Sequence, residues 1–223
     1  MAAPNLSAGQ GGAVSPPNPW DPLIRVIHWS VVLSIIVNGL IVKPGGSVHV
    51  WIGWMVMTLL ALRFVWGLVG PSEARFSSFP PNPKAAVAHL RDLLRGKPRK
   101  HASHNPAGAL MVYALWASLA VVIATGLAMT DGKTPMRIAE DRAAVAAGDW
   151  SVLVVDGDES DDDKTEGRGD DLAEELHEGA VNLIWLLALL HVAGVAVESR
   201  ALGRNLVRPM LFGSRKGNVN GKR

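Results

Sequence analysis

The chain has 223 residues, 48% of them hydrophobic, a formal net charge of +2 and no cysteine, with a mean hydropathy of +0.19. The lack of cysteine excludes disulfides, thiolate-held iron-sulfur clusters, cysteine zinc sites and the C-x-x-C-H attachment of c-type haem, so any metal or haem must rely on His, Met or carboxylate. The net charge is unremarkable and nucleic acid is not an expected partner. What matters is that apolar and charged residues fall in separate blocks.

Residues 1–20, "MAAPNLSAGQGGAVSPPNPW", carry neither a positive n-region nor an apolar h-region and read as a disordered cytoplasmic tail, not a cleaved signal. A membrane-spanning helix needs roughly 20 mostly apolar residues. Four stretches qualify, at about 23–42, 49–69, 108–130 and 176–197. The connection over 70–107 holds Arg75, Lys84, Arg91, Arg95, Lys97, Arg99 and Lys100, and the segment after Val197 is also basic. By the positive-inside rule both are cytoplasmic. The short first connection has only Lys43, and the segment 131–175 contains "DGDESDDDKTEGRGDD", so both fall on the periplasmic side. The expected fold is an all-α membrane protein: a four-transmembrane-helix bundle over residues 21–212, both termini cytoplasmic, with a basic tail over 213–223. It would be multi-pass in the bacterial inner (cytoplasmic) membrane, in contact with membrane lipid.

Within the basic connection, "NPKAAVAHLRDLLRGK" has Ala86, Val87, Leu90, Leu93 and Leu94 at helical spacing with Arg and Lys opposite, as a helix lying on a membrane surface does. His89, His101 and His104 are then expected on the aqueous side. The acidic run lacks the central Gly and closing Glu of a calcium loop. It reads as a solvated loop or as a docking patch for a basic periplasmic protein.

Four histidines lie in the spans, and the topology sets their depth. His28 comes early in an inside-to-outside helix, and His49 and His177 open outside-to-inside helices, while His191 lies near the inner end of the last. Two depth-matched pairs follow: His49 with His177 toward the outside, His28 with His191 toward the inside. The fourteen residues from His177 to His191 span roughly 21 Å and return within about 40° of the same face. One histidine in a membrane helix is as readily an interhelical hydrogen-bonding residue as a ligand. Four that pair at two levels suit bis-histidine ligation of two stacked haems by facing helices. Arg63, fourteen residues after His49, falls on the same face at the inner level; it either pairs with a haem propionate or snorkels to lipid phosphate. Gly53 and Gly194 lie near His49 and His191, where they either admit a flat macrocycle or serve helix contact.

In "WDPLIRVIHW", "HVWIGWMVMTLLALRFVWGLVGP", "HNPAGALMV", "EELHE", "LLHVAGV" and "RNLVRPM" the chain resembles the prokaryotic cytochrome b561 family, which includes the b-type cytochrome subunits of nickel-iron hydrogenases. The resemblance runs from about Trp20 to Phe212. It implies two haem b groups with His28, His49, His177 and His191 as axial ligands to the iron. It further implies quinone exchange near the inner haem, where Asn105 and Gly108 match positions lining a quinone pocket in related cytochromes. His104 or Asp92 would serve as proton acceptor. The expected function is electron transfer between a quinone pool and a periplasmic redox partner, such as a c-type cytochrome, in a respiratory or photosynthetic membrane. A membrane-anchor subunit without catalysis of its own, docking a hydrogenase-like periplasmic oxidoreductase, is the alternative, and a transition-metal transporter a remote one. Direction of electron flow and homodimerisation are left open.

Overall fold

The computed structural model describes residues 21–96, 105–153 and 163–213; the expected tail over 1–20, His101, His104, residues 154–162 of the acidic run and residues 214–223 lie outside them. In chain order the helices are α1 (Pro22–Leu40), α2 (Ser47–Val69), α3 (Pro83–Leu94), α4 (Pro106–Ala128), α5 (Pro135–Ala146), α6 (Asp163–Ala201) and the short α7 (Val207–Phe212). Among the described residues, α1, α2, α4 and the Asp171–Ala201 part of α6 are long and apolar enough to cross a membrane. They coincide with the four expected spans. The segment between the third and fourth spans is more structured than a solvated loop: it holds α5, and α6 already starts within its acidic residues.

The helix starts share one local device. Asp21, Asn82, Asn105 and Thr134 each accept a backbone N–H from the first turn that follows, and each precedes a proline. The oxygen satisfies a donor that has no intrahelical partner, while proline lacks the N–H that would be wasted at that position. Inside the spans, Ser34, Thr58, Ser118 and Thr125 donate their hydroxyls to the carbonyl four residues back. That internal bond is what allows a hydroxyl in a medium with no water to bond to. The lipid-facing residues need no such device: Leu33 is 62% exposed, Leu68 70% and Leu189 68%, a degree of apolar exposure that fits hydrocarbon and not water.

The spans pack as two pairs. α4 lies closely along α6 and α1 along α2, whereas among the described residues the backbones of α1 and α2 scarcely come within 8 Å of α6. At mid-height the pairs meet through an apolar core of Val56, Leu60, Leu119 and Ile184, flanked by Val31, Ile35, Ile52 and Trp116. Trp185 also bridges the split, its indole set so close to Gly39 that a β-carbon there would lie 2.7 Å from the ring. Polar ties join the ends. On the side that carries α5, Arg142 donates to Ser47 Oγ at 2.7 Å and to the Gly45 carbonyl at 2.8 Å. On the side that carries α3, Trp29 Nε1 donates to the Met210 carbonyl at 3.2 Å.

After α2, the chain turns at Gly70–Pro71 and folds back on the bundle through residues 72–79. Phe76 and Phe79 there pack with Phe64, Tyr113 and Trp116. Gly67 makes this possible, since a β-carbon on it would sit 2.2 Å from the Phe76 ring. Gly67→Ala is therefore expected to destabilise the protein by about 1–3 kcal/mol through overpacking; thermal unfolding in detergent checks it, and an unchanged midpoint would show that Phe76 can move aside.

α3 packs one edge against α4. Its buried face is Ala86 and His89, turned toward α4, while Val87 and Leu90 remain exposed. His89 therefore faces α4 and not water; it is 5% exposed. Packing against α4 sets this edge, while Val87, Leu90 and Leu94 form an exposed apolar face of the kind a membrane surface takes.

Candidate functional site

The histidines on α6 follow from a register that repeats every seven residues. His177, Ile184, His191 and Glu198 succeed one another at that interval, and seven residues turn a helix through almost two full turns, so all four share one stripe. Ile184 belongs to the apolar core. The stripe accordingly places a histidine on either side of the core.

On the α5 side, the His49 and His177 rings face each other with centroids 6.2 Å apart and planes inclined at 54°. Two imidazoles that ligate one metal ion from opposite sides, each through a bond of about 2 Å, have ring centres roughly 6 Å apart. Their planes may take any mutual angle about that axis. His177 Nδ1 lies 2.9 Å from Thr125 Oγ1, whose own hydroxyl donates to the Val121 carbonyl at 2.8 Å. The hydrogen-bond network thus makes His177 Nδ1 the donor and leaves Nε2 with its lone pair, the tautomer a metal requires. Gly126 lies beneath this ring, where a β-carbon would be 3.5 Å from His177 Cε1. Asn38 Nδ2 donates to the His49 carbonyl at 3.3 Å and fixes α1 to α2 at this level.

On the α3 side, His28 and His191 are near enough to interact electrostatically, and the Trp29 ring stands edge-on to His28 at 5.0 Å. His28 Nδ1 and His49 Nδ1 are buried without a hydrogen-bond partner among the described residues. Buried polar atoms are nearly always paired, so orphans of this kind call for an explanation. Open space surrounds Gly53 and Gly194, with nothing within 4 Å of a β-carbon built on either. Close helix contact does not account for these glycines here.

Arg63 is buried at 6% exposure. Its guanidinium carbon lies 4.8 Å from the Trp116 ring centre and 5.3 Å from that of Phe76, and one terminal nitrogen donates to the Ala74 carbonyl at 3.1 Å. The other, Nη1, has no partner among the described residues. Arg63 therefore does not snorkel. It pins the returning segment and keeps one nitrogen in reserve.

Asn105 caps α4 through Oδ1, which accepts the Gly108 N–H at 2.6 Å, and its Nδ2 donates to Glu198 Oε2. Gly108 sits tight against that cap, 3.3 Å from Asn105 Oδ1 at the β-carbon position. Among the described residues no three His, Asp or Glu side chains converge as a metal cluster. The histidines come in pairs.

A family model described as prokaryotic cytochrome b561 matches residues 19–213. The chain belongs to that family. No curated protein matches the chain, and no solved structure does. Membership in the prokaryotic cytochrome b561 family makes this a multi-pass bacterial membrane protein, a b-type cytochrome that binds haem b and takes part in electron transfer with redox partners. The described geometry fits such a group: an apolar bundle split along its length, with the His49 and His177 imidazoles facing each other across the split. Glu198, which the sequence pattern did not single out, and His89, expected to face water, are the additional polar groups at the α3 end. The seven-residue step from His191 to Glu198 was the signal that pointed to the first of them.

Proposed function

We propose that the chain carries two haem b groups and passes electrons across the bacterial inner membrane between a quinone and a periplasmic redox partner such as a c-type cytochrome. The observation that carries this reading is the facing pair of His49 and His177, with His191 one seven-residue repeat beyond the apolar core on the same stripe of α6. His49 and His177 would hold one haem on the α5 side, and His28 and His191 the other on the α3 side. When bound, haem iron supplies one-electron chemistry. The residues of the chain orient the imidazoles, exclude water and place the two sites about 21 Å apart along α6.

Several side chains have parts in this scheme. Thr125 holds His177 in the ligating tautomer. The free nitrogen of Arg63 suits a propionate, and Gly53 and Gly194 leave room for the macrocycles. The α3 side is cytoplasmic by its charge, so quinone exchange belongs there, near Asn105 and Gly108, and the partner protein docks on the α5 side.

The deciding experiment is a reduced-minus-oxidised absorption spectrum with the haem-to-protein ratio of the purified chain, followed by quinol-driven reduction of a small cytochrome c. Two low-spin b haems per chain and turnover are expected, and a chain without haem sinks the scheme. Turnover with no small acceptor, together with tight co-purification of a large periplasmic oxidoreductase, would turn the reading to a membrane anchor. Thr125→Val should weaken haem retention at the His49–His177 site about 10- to 100-fold, the usual loss when a ligand's supporting hydrogen bond is removed. Haem titration of the apoprotein measures it, and equal affinity for both sites before and after would exclude the role given to Thr125.

A further inference from the structure

Glu198 is an acidic residue inside a membrane-spanning segment, and its side chain is only 13% exposed. It lies one heptad beyond His191 on the same stripe, about 10 Å farther toward the α3 side. Its partners among the described residues come from two other helices. Asn105 of α4 donates to Oε2, and His89 of α3, with its side chain 4% exposed, brings Nε2 to 3.9 Å from Oε1. α4 also presents its N-terminal turn here, whose dipole favours a carboxylate. An ionisable group at such a place is costly to keep and in membrane proteins marks proton and substrate pathways. His89 is the ionisable group facing Glu198 from α3, and Asn105, from α4, is neutral. Among the described residues, the Glu198 carboxylate is thus opposed by a second proton carrier.

We propose that Glu198 is the proton acceptor of the quinone reaction and His89 its outlet to the α3-side aqueous phase. The proposal rests on the quinone reading given above. One quinol loses two O–H protons and two electrons as its ring becomes the quinone. Bound haem would supply the one-electron chemistry that takes up these two electrons. The first proton passes to the Glu198 carboxylate and from there by way of His89 to water; once the carboxylate is restored, the second takes the same route. In the reverse direction the pair delivers two protons to the quinone. Asn105 positions Glu198 and also caps α4. His104 lies outside the described residues, and Asp92, half-buried on α3, is not needed as an acceptor in this scheme.

The test uses the purified, haem-loaded protein with a soluble quinol as donor and cytochrome c as acceptor. Glu198→Gln keeps the volume and an oxygen that accepts from Asn105, so a purely structural tie between α4 and α6 survives it. Quinol oxidation is expected to fall on the order of 100-fold, the usual size of a lost acid-base group. The fall in rate at low pH that marks a carboxylate base should vanish, Glu198→Asp should recover part of the rate, and His89→Gln should slow turnover while leaving both haem bands in place. A readout independent of turnover is the infrared difference spectrum between quinol- and quinone-treated protein. A carboxylic C=O band is expected in the wild type and not in Glu198→Gln. Wild-type rate and pH profile in Glu198→Gln, or an unchanged infrared band, overturns the proposal and leaves the quinone reading intact. A wild-type protein that oxidises no quinol overturns that reading and the proposal with it. If Glu198→Gln fails to hold haem, the wild-type infrared band decides, and its absence overturns the proposal.

Discussion

Replacing His49 or His177 by alanine is expected to remove one and the same haem, halving the haem-to-protein ratio while the spectrum of the other haem persists. On the proposed pairing these rings, 6.2 Å apart between centroids, are two ends of one coordination axis, so either loss opens the same site. Among the described residues the core around Val56, Leu60 and Ile184 lies between the remaining imidazole and His191, the next histidine along α6. His28→Ala and His191→Ala should in turn remove the other haem. The measurement is the haem content and difference spectrum of the four variants side by side. If His49→Ala removed the haem that also depends on His191, the pairing by depth would be wrong.

Arg63→Leu is expected to destabilise the protein by on the order of 2–4 kcal/mol, through the desolvated cation-π contacts to Phe76 and Trp116 and the hydrogen bond to Ala74. Arg63→Lys should recover only part of this, because an ammonium neither stacks as a plane nor spans two acceptors. Thermal unfolding of both variants in the same detergent checks the order. The unpartnered Nη1 adds a second readout. If it serves a propionate, Arg63→Leu also shifts the spectrum or potential of the α3-side haem alone. A stable Arg63→Leu protein would show that the segment 72–79 is held by its aromatic residues without the guanidinium.

The four spans were legible because hydrocarbon imposes a rule that residues obey one by one: about 20 apolar side chains in a row. The nearness of His49 and His177 followed for a related reason. Alternating helix direction converts position along the chain into depth, and the His49–His177 contact agrees with it. What escaped the sequence depended on contacts between distant segments. Arg63 reads as a residue near a helix end, and nothing in its neighbourhood announces that Phe76 and Trp116 will enclose it. The His89 side of α3 reads as the polar face of an amphipathic helix, yet α4 covers it, because an apolar stripe shows that a helix is covered without saying by what. α5 was hidden within an acidic segment. Its signs were local ones, the Thr134 cap before Pro135 and the Arg137 to Asp141 pair one turn apart. Glu198 looked like the charge that ends a span, although its interval from His191 matched that from Ile184 to His191.

The placement of His177 and His191 on one helix has a consequence for biogenesis. α6 is made after the other three described spans, and on the proposed pairing it supplies half of both coordination sites. The α1–α2 hairpin, inserted first, carries His28 and His49 without their counterparts. On that pairing no haem is held by two histidines until α6 is in the membrane. Loading then waits on α6, and a protein truncated before α6 would lose both cofactors together instead of one.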